Sequence, residues 1–196
     1  DVTGVQTCAL PIYYQIYDEK SGRPTYGDDC KWGFIDKTGK EVIPFKYDHC
    51  LPFSEGLAPV MLDGRWGYVD KTGKEVIWLE EGMGEPFKEG LARVVYAKNF
   101  GFDEFGFIDK TGKVITTKRY TSAENFSEGL ALVSSVINNN YLYGFIDKTG
   151  KEVIPVKFNG ALSFSEGMAV AQQGECCGFI DKTGKFILDM YTGCGP

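Results

Sequence analysis

The 196-residue sequence has no apolar run near the roughly 20 residues that a membrane-spanning helix needs, and it carries a single histidine, His49. It has no excess of basic charge. With a formal net charge of −6, a polyanionic nucleic-acid backbone is excluded as the main partner. Its six cysteines, Cys8, Cys30, Cys50, Cys176, Cys177 and Cys194, follow no period. With one histidine between them they lack the patterned spacing of a zinc site. Free thiols in a reducing compartment are the favoured reading. No nucleophile elbow, phosphate loop or zinc-protease helix is present, so no cofactor is implied. Nor does any window show helical periodicity to match its strand signals.

What the chain has in abundance is glycine, 25 residues, and the glycines recur in order. Asp-Lys-Thr-Gly occurs five times, from Asp36, Asp70, Asp109, Asp147 and Asp181. Each copy follows an aromatic strand pattern of the type Trp32-Gly33-Phe34-Ile35. A second landmark, Phe-x-Glu-Gly, ends at Gly56, Gly90, Gly129 and Gly167, always seventeen residues after the glycine of the preceding Asp-Lys-Thr-Gly. The distance from this box to the next strand varies. That places the inserted residues, Ala97 to Glu104 and Val136 to Leu142, at solvated tips that can grow without disturbing packing.

A fixed period of this length means one small unit built repeatedly and stacked. Leu57 to Met61, Arg65 to Val69 and Glu75 to Trp78 read as three strands, joined at Asp63-Gly64 and at Asp70-Lys71-Thr72-Gly73. Asp first and Gly fourth fit a type I turn closed by a left-handed glycine, with the carboxylate accepting backbone N–H groups. The middle strand is apolar on both faces, as a strand buried between sheets would be. The expected fold is all-β, in tandem antiparallel meanders of three to four strands. A propeller-like array is expected, and an open β-solenoid is the alternative.

The run from Trp32 to Pro44, followed by Phe53-Ser54-Glu55-Gly56-Leu57-Ala58, closely resembles the bacterial WG repeat family. The resemblance covers about residues 31 to 188, with copies centred on 32–40, 66–74, 105–113, 143–151 and 177–185. It implies a β-rich repeat protein and carries no catalytic residue. Tyr143 and Cys177 replace the namesake tryptophan, and Cys177 marks a weaker terminal copy. Residues 16–31 look like a degenerate half-unit, with Gly22 in the place of Gly56. Residues 1–12 are set apart, because Val2 to Ile12 looks like a translated sequencing adaptor. The expected domain is therefore 13–196, a fragment of a longer bacterial protein whose true start is missing.

The functional expectation is a non-enzymatic binding or scaffold module that presents loops to a protein or glycan. Its candidate contact residues are Asn99, Phe100, Phe102 and Asp103 in the first inserted tip, and Asn139, Asn140 and Tyr141 in the second. The repeated acids Glu55, Glu89, Glu128 and Glu166 have two readings, an acidic ring or row that binds a basic partner, or solvated or capping carboxylates beside a turn glycine. The five aspartates read as turn caps and not as calcium ligands, since Lys and Thr follow each. Two alternatives stay open: an enzyme hydrolysing glycans or peptides through convergent acids, or accessory repeats of a longer enzyme.

Overall fold

The computed structural model describes residues 11–14, 31–97 and 103–189. It divides into two compact units, residues 1–87 and 88–196. Every element among the described residues is a strand, and every strand pair is antiparallel.

In the first unit, β1 (Pro11–Tyr14), β2 (Lys31–Ile35) and β3 (Glu41–Tyr47) form one sheet in that order. A four-stranded sheet follows: β4 (His49–Cys50), β5 (Leu57–Leu62), β6 (Arg65–Asp70) and β7 (Glu75–Trp78). The short β8 (Met83–Gly84) comes last. In the second unit, β9 (Leu91–Tyr96) pairs with β10 (Glu104–Asp109), which is bridged to Val114 and Tyr120 on its far side. Two four-stranded sheets follow. One is β11 (Ser122–Ala123), β12 (Leu130–Ile137), β13 (Asn140–Asp147) and β14 (Glu152–Phe158); the other is β15 (Gly160–Ala161), β16 (Ala169–Gln173), β17 (Cys176–Ile180) and β18 (Phe186–Asp189). The meander read from the sequence is thus the repeating unit, with a further two-residue strand ahead of each Phe-x-Glu-Gly box in these four-stranded sheets.

The strands form where period-2 burial is available. The middle strand of each copy places an aromatic ring on one face and a branched aliphatic on the other. Phe34, Tyr68, Phe107 and Phe145 are buried, and so are Val69, Ile108, Ile146 and Ile180. Each of those rings meets the phenylalanine of the box nineteen residues later: Phe34–Phe53, Tyr68–Phe87, Phe107–Phe126 and Phe145–Phe164, with centroids 4.8, 4.9, 5.0 and 4.8 Å apart. Such tilted and edge-on pairs favour the ring quadrupoles and add to the gain from burial. Tyr68 keeps its hydroxyl satisfied by donating to the Glu85 carbonyl at 2.8 Å. This constant offset explains why the stretch between Asp-Lys-Thr-Gly and the box cannot change length: it sets one ring against another.

The third strand supplies the contact between copies. Within each unit, an Asp-Lys-Thr-Gly turn lies on the third strand of the copy before it. A Cβ on Gly73 would sit 3.3 Å from the Ile43 side chain, and one on Gly184 would sit 2.8 Å from that of Ile154. Both pairs lie within a single unit of the chain.

The second inserted tip is not an irregular loop. Residues 136–142 extend the β12–β13 ladder, with Val136 opposite Tyr141 and Ile137 opposite Asn140. Asn138 and Asn139, with φ of 51° and 63°, make a two-residue turn. Asparagine tolerates the left-handed region, and this turn twists with the strands it joins. Cys50 and Cys177 are free thiols, as the sequence suggested, but Cys176 is disulfide-bonded and corrects that reading for its position.

Candidate functional site

The aspartate turns are alike in all five copies. In the fourth, Gly150 N–H donates to the Asp147 carbonyl at 2.9 Å, and Asp147 N–H donates to the Lys151 carbonyl at 2.9 Å. One carboxylate oxygen, Oδ1, accepts Thr149 N–H at 2.8 Å, Thr149 Oγ1–H at 2.6 Å and Lys151 N–H at 3.2 Å. These donors favour the charged carboxylate. The threonine hydroxyl is the largest influence, and the Asp147 carboxyl is held below its ordinary value. The same direction and leading cause apply to Asp36, Asp70, Asp109 and Asp181. Each carboxylate thereby holds its own turn together.

The repeated glutamates sit in two-residue turns of their own. Glu55, Glu89, Glu128 and Glu166 all have φ between 50° and 53°, each followed by a left-handed glycine. A non-glycine residue in that region is uncommon, and here it recurs at the same step of each copy. In two copies of the second unit the turn aims the carboxylate at the next copy. Glu89 accepts Glu128 N–H at 2.8 Å and Gly129 N–H at 2.9 Å, and Lys148 Nζ lies 3.2 Å from the same carboxylate. One copy on, Glu128 accepts Gly167 N–H at 2.9 Å, with Lys182 Nζ at 3.4 Å. Burial alone would raise the Glu89 carboxyl, yet the N–H donors and Lys148 outweigh it and hold it below the ordinary value. The Gly167 N–H does the same for Glu128. Each of these two carboxylates therefore ties its copy to the one that follows.

The proposed contact residues fall into two sets. Asn99, Phe100 and Phe102 lie outside the described residues, and Asp103 beside them is exposed. Asn139, Asn140 and Tyr141 cluster at the end of the β12–β13 hairpin. There Tyr141 is 49% exposed beside its cross-strand partner Val136 at 46%, and Ile137 is exposed next to them. Val136 and Ile137 belong to this patch although their residue types alone did not single them out. The signal was the Asn138-Asn139 pair, which marks a hairpin that lengthens both strands beyond the buried core.

His49 is half-buried, with its ring 5.3 Å from that of Trp32 and 5.6 Å from that of Trp66. Its Nδ1 is buried with no hydrogen-bond partner. Among the described residues no three His, Cys, Asp or Glu side chains gather around a common point, and no helix is long and apolar enough to cross a membrane.

The family model described as WG containing repeat matches residues 32–66, 66–80, 105–141 and 143–175, well over half of the chain. No curated protein matches it.

Proposed function

The chain belongs to the WG containing repeat family, and on that premise we propose that it is a non-enzymatic binding or scaffold module, with the β12–β13 hairpin tip as its contact site. One observation carries this reading. The hairpin projects a cross-strand aliphatic–aromatic pair, Val136 and Tyr141, into solvent where the repeat pattern needs no side chain for its core. Surface apolar groups gathered on a rigid ladder and rimmed by amides suit recognition of a protein or a glycan. Asn139 and Asn140 offer both donors and acceptors.

The hydrolase alternative has less support, since the Glu89 and Glu128 carboxylates are already bonded to backbone N–H groups of the next copy. The test is a glycan array together with a peptide array, probed with the wild type and with Tyr141→Ala and Val136→Asp. Binding that is lost in both variants, with unchanged circular dichroism, supports the tip as the site. Binding that survives both moves the site elsewhere. Turnover of any arrayed glycan or peptide that disappears in Glu128→Gln would favour an enzyme instead.

A further inference from the structure

Two residues before its buried ring, each of the first four middle strands carries another: Trp32, Trp66, Phe105 and Tyr143. Three of these rings are covered by a side chain. In the first unit His49 stands between Trp32 and Trp66, at 5.3 and 5.6 Å. In the second unit the Arg93 guanidinium lies over Phe105, 5.4 Å from the ring centroid. Tyr143 is half-buried, packed on the core that includes Leu132 and Ile154. Among the described residues no stacked ring or overlying cation covers it, and its hydroxyl makes no hydrogen bond.

Small residues beside Tyr143 explain the difference. The register that sets His49 in line with Met61 and Trp66 sets Ser122 in line with Ser134 and Tyr143, and Gly160 in line with Gln172 and Cys177. Strand β15 packs beside β13, so Gly160 stands next to Tyr143 as His49 stands next to Trp32. Where His49 has a ring, Gly160 has a hydrogen. A Cβ there would come within 4 Å of one described group alone, Gln172 Oε1 at 3.8 Å. The Gln172 amide nitrogen donates to the Gly174 carbonyl at 3.3 Å, which leaves Oε1 to accept beside Gly160.

The surface around this gap is uncharged. Tyr141 shares the Tyr143 face of β13, two residues away, and is exposed. Val136 and Ser134 lie opposite these two tyrosines. None of these register positions carries a charged residue. An anionic ligand would need a cation here. A tyrosine face with hydroxyl and amide groups at its margin matches the apolar C–H face and hydroxyl rim of a sugar ring.

We propose that a neutral sugar ring stacks on Tyr143 in the gap over Gly160, with Gln172 Oε1 accepting one of its hydroxyls and Tyr141 extending the surface along the glycan. This site rests on the binding role proposed above and narrows the partner to an uncharged glycan.

Isothermal titration of the 196-residue protein with cellohexaose, maltohexaose, mannohexaose and xylohexaose tests this. At least one should bind. Tyr143→Leu keeps an apolar side chain on the core and should weaken that binding about tenfold or more. Gly160→His sets a ring where His49 stands in the first unit and should abolish it, with unchanged circular dichroism. Gln172→Ala, an exposed change, should weaken it about threefold. No heat from any of the oligosaccharides at millimolar concentration would overturn the sugar site. So would binding that Tyr143→Leu, Gly160→His and Gln172→Ala all leave unchanged. Peptide binding lost in Tyr141→Ala and Val136→Asp but kept in Gly160→His would overturn it too, while leaving the hairpin tip as a contact site. Sugar binding lost in Gly160→His but kept in Val136→Asp would support the gap and remove the tip from the site.

Discussion

Gly33 and Gly39 lie six residues apart in one hairpin and are glycine for unrelated reasons. A Cβ at Gly33 would stand 2.7 Å from the Ile43 carbonyl oxygen and 2.9 Å from the Phe45 nitrogen. The strand interior leaves no room for it. Gly39 has open space around it but a φ of +83°, which a side chain resists. The comparison separates the two parts of each copy. The strand interior is fixed by volume and the turn by torsion and hydrogen bonds. The interior carries most of the stability, because it removes rings and branched aliphatics from water. The turns set register and direction.

Two substitution pairs can break this comparison. Ile154→Ala should be the costliest change, at about 2–5 kcal/mol, because it opens a cavity beneath the Gly184 turn. Its positional counterpart Leu188→Ala, on the exposed face, should shift stability by no more than about 0.5 kcal/mol. Equal losses at these two sites would mean that β18 is covered. Gly33→Ala should come next, at about 3 kcal/mol, since backbone atoms of β3 must move to admit the methyl group. Gly39→Ala, which meets only the torsional penalty, should cost about 1 kcal/mol. Urea unfolding midpoints measure all four. A Gly39→Ala loss as large as that of Gly33→Ala would show that the turn, and not the strand, is the crowded position.

The repeating meander was legible because its signals are local. Strand alternation, the Asp-Gly turn and the aspartate hydrogen bonds all act within five residues, and each stands as read from the sequence. The ring pairs were half-visible, since a constant spacing from strand to box was plain while its cause was not. What could not be read depends on residues brought together from a distance. The Glu89 carboxylate finds its N–H donors 39 and 40 residues on, and nothing near Glu89 separates a free acidic row from a tie between copies. His49 meets Trp32 and Trp66 only once β4 has taken its place in the sheet. The varying length of the second inserted tip marks a solvated surface tip without telling a loop from a longer hairpin. Its Asn-Asn turn was the local clue that the extra residues lengthen a ladder.

The turn chemistry makes the smallest and sharpest prediction. Asp147 is held below its ordinary carboxyl value of 3.8, first of all by the Thr149 hydroxyl. A carboxyl whose value is lower in the folded state stabilises that state fully above the unfolded value, and the contribution is lost as pH falls through the folded one. The five turns should therefore leave stability flat above pH 3.8 and contribute to its decline below that pH. Thr149→Val removes the largest of these influences while keeping the backbone donors. The Asp147 carboxyl carbon should then titrate closer to 3.8 by NMR, and the loss attributable to this turn should start at the same pH but be smaller and complete at a higher pH than in the wild type. The titrations of Asp36, Asp70, Asp109 and Asp181 should stay where they were, since each turn is closed by its own threonine. A common shift of all five would mean that the turns sense one shared field instead of their own hydroxyls. The division between interior volume and local turn chemistry would then fail at its polar end.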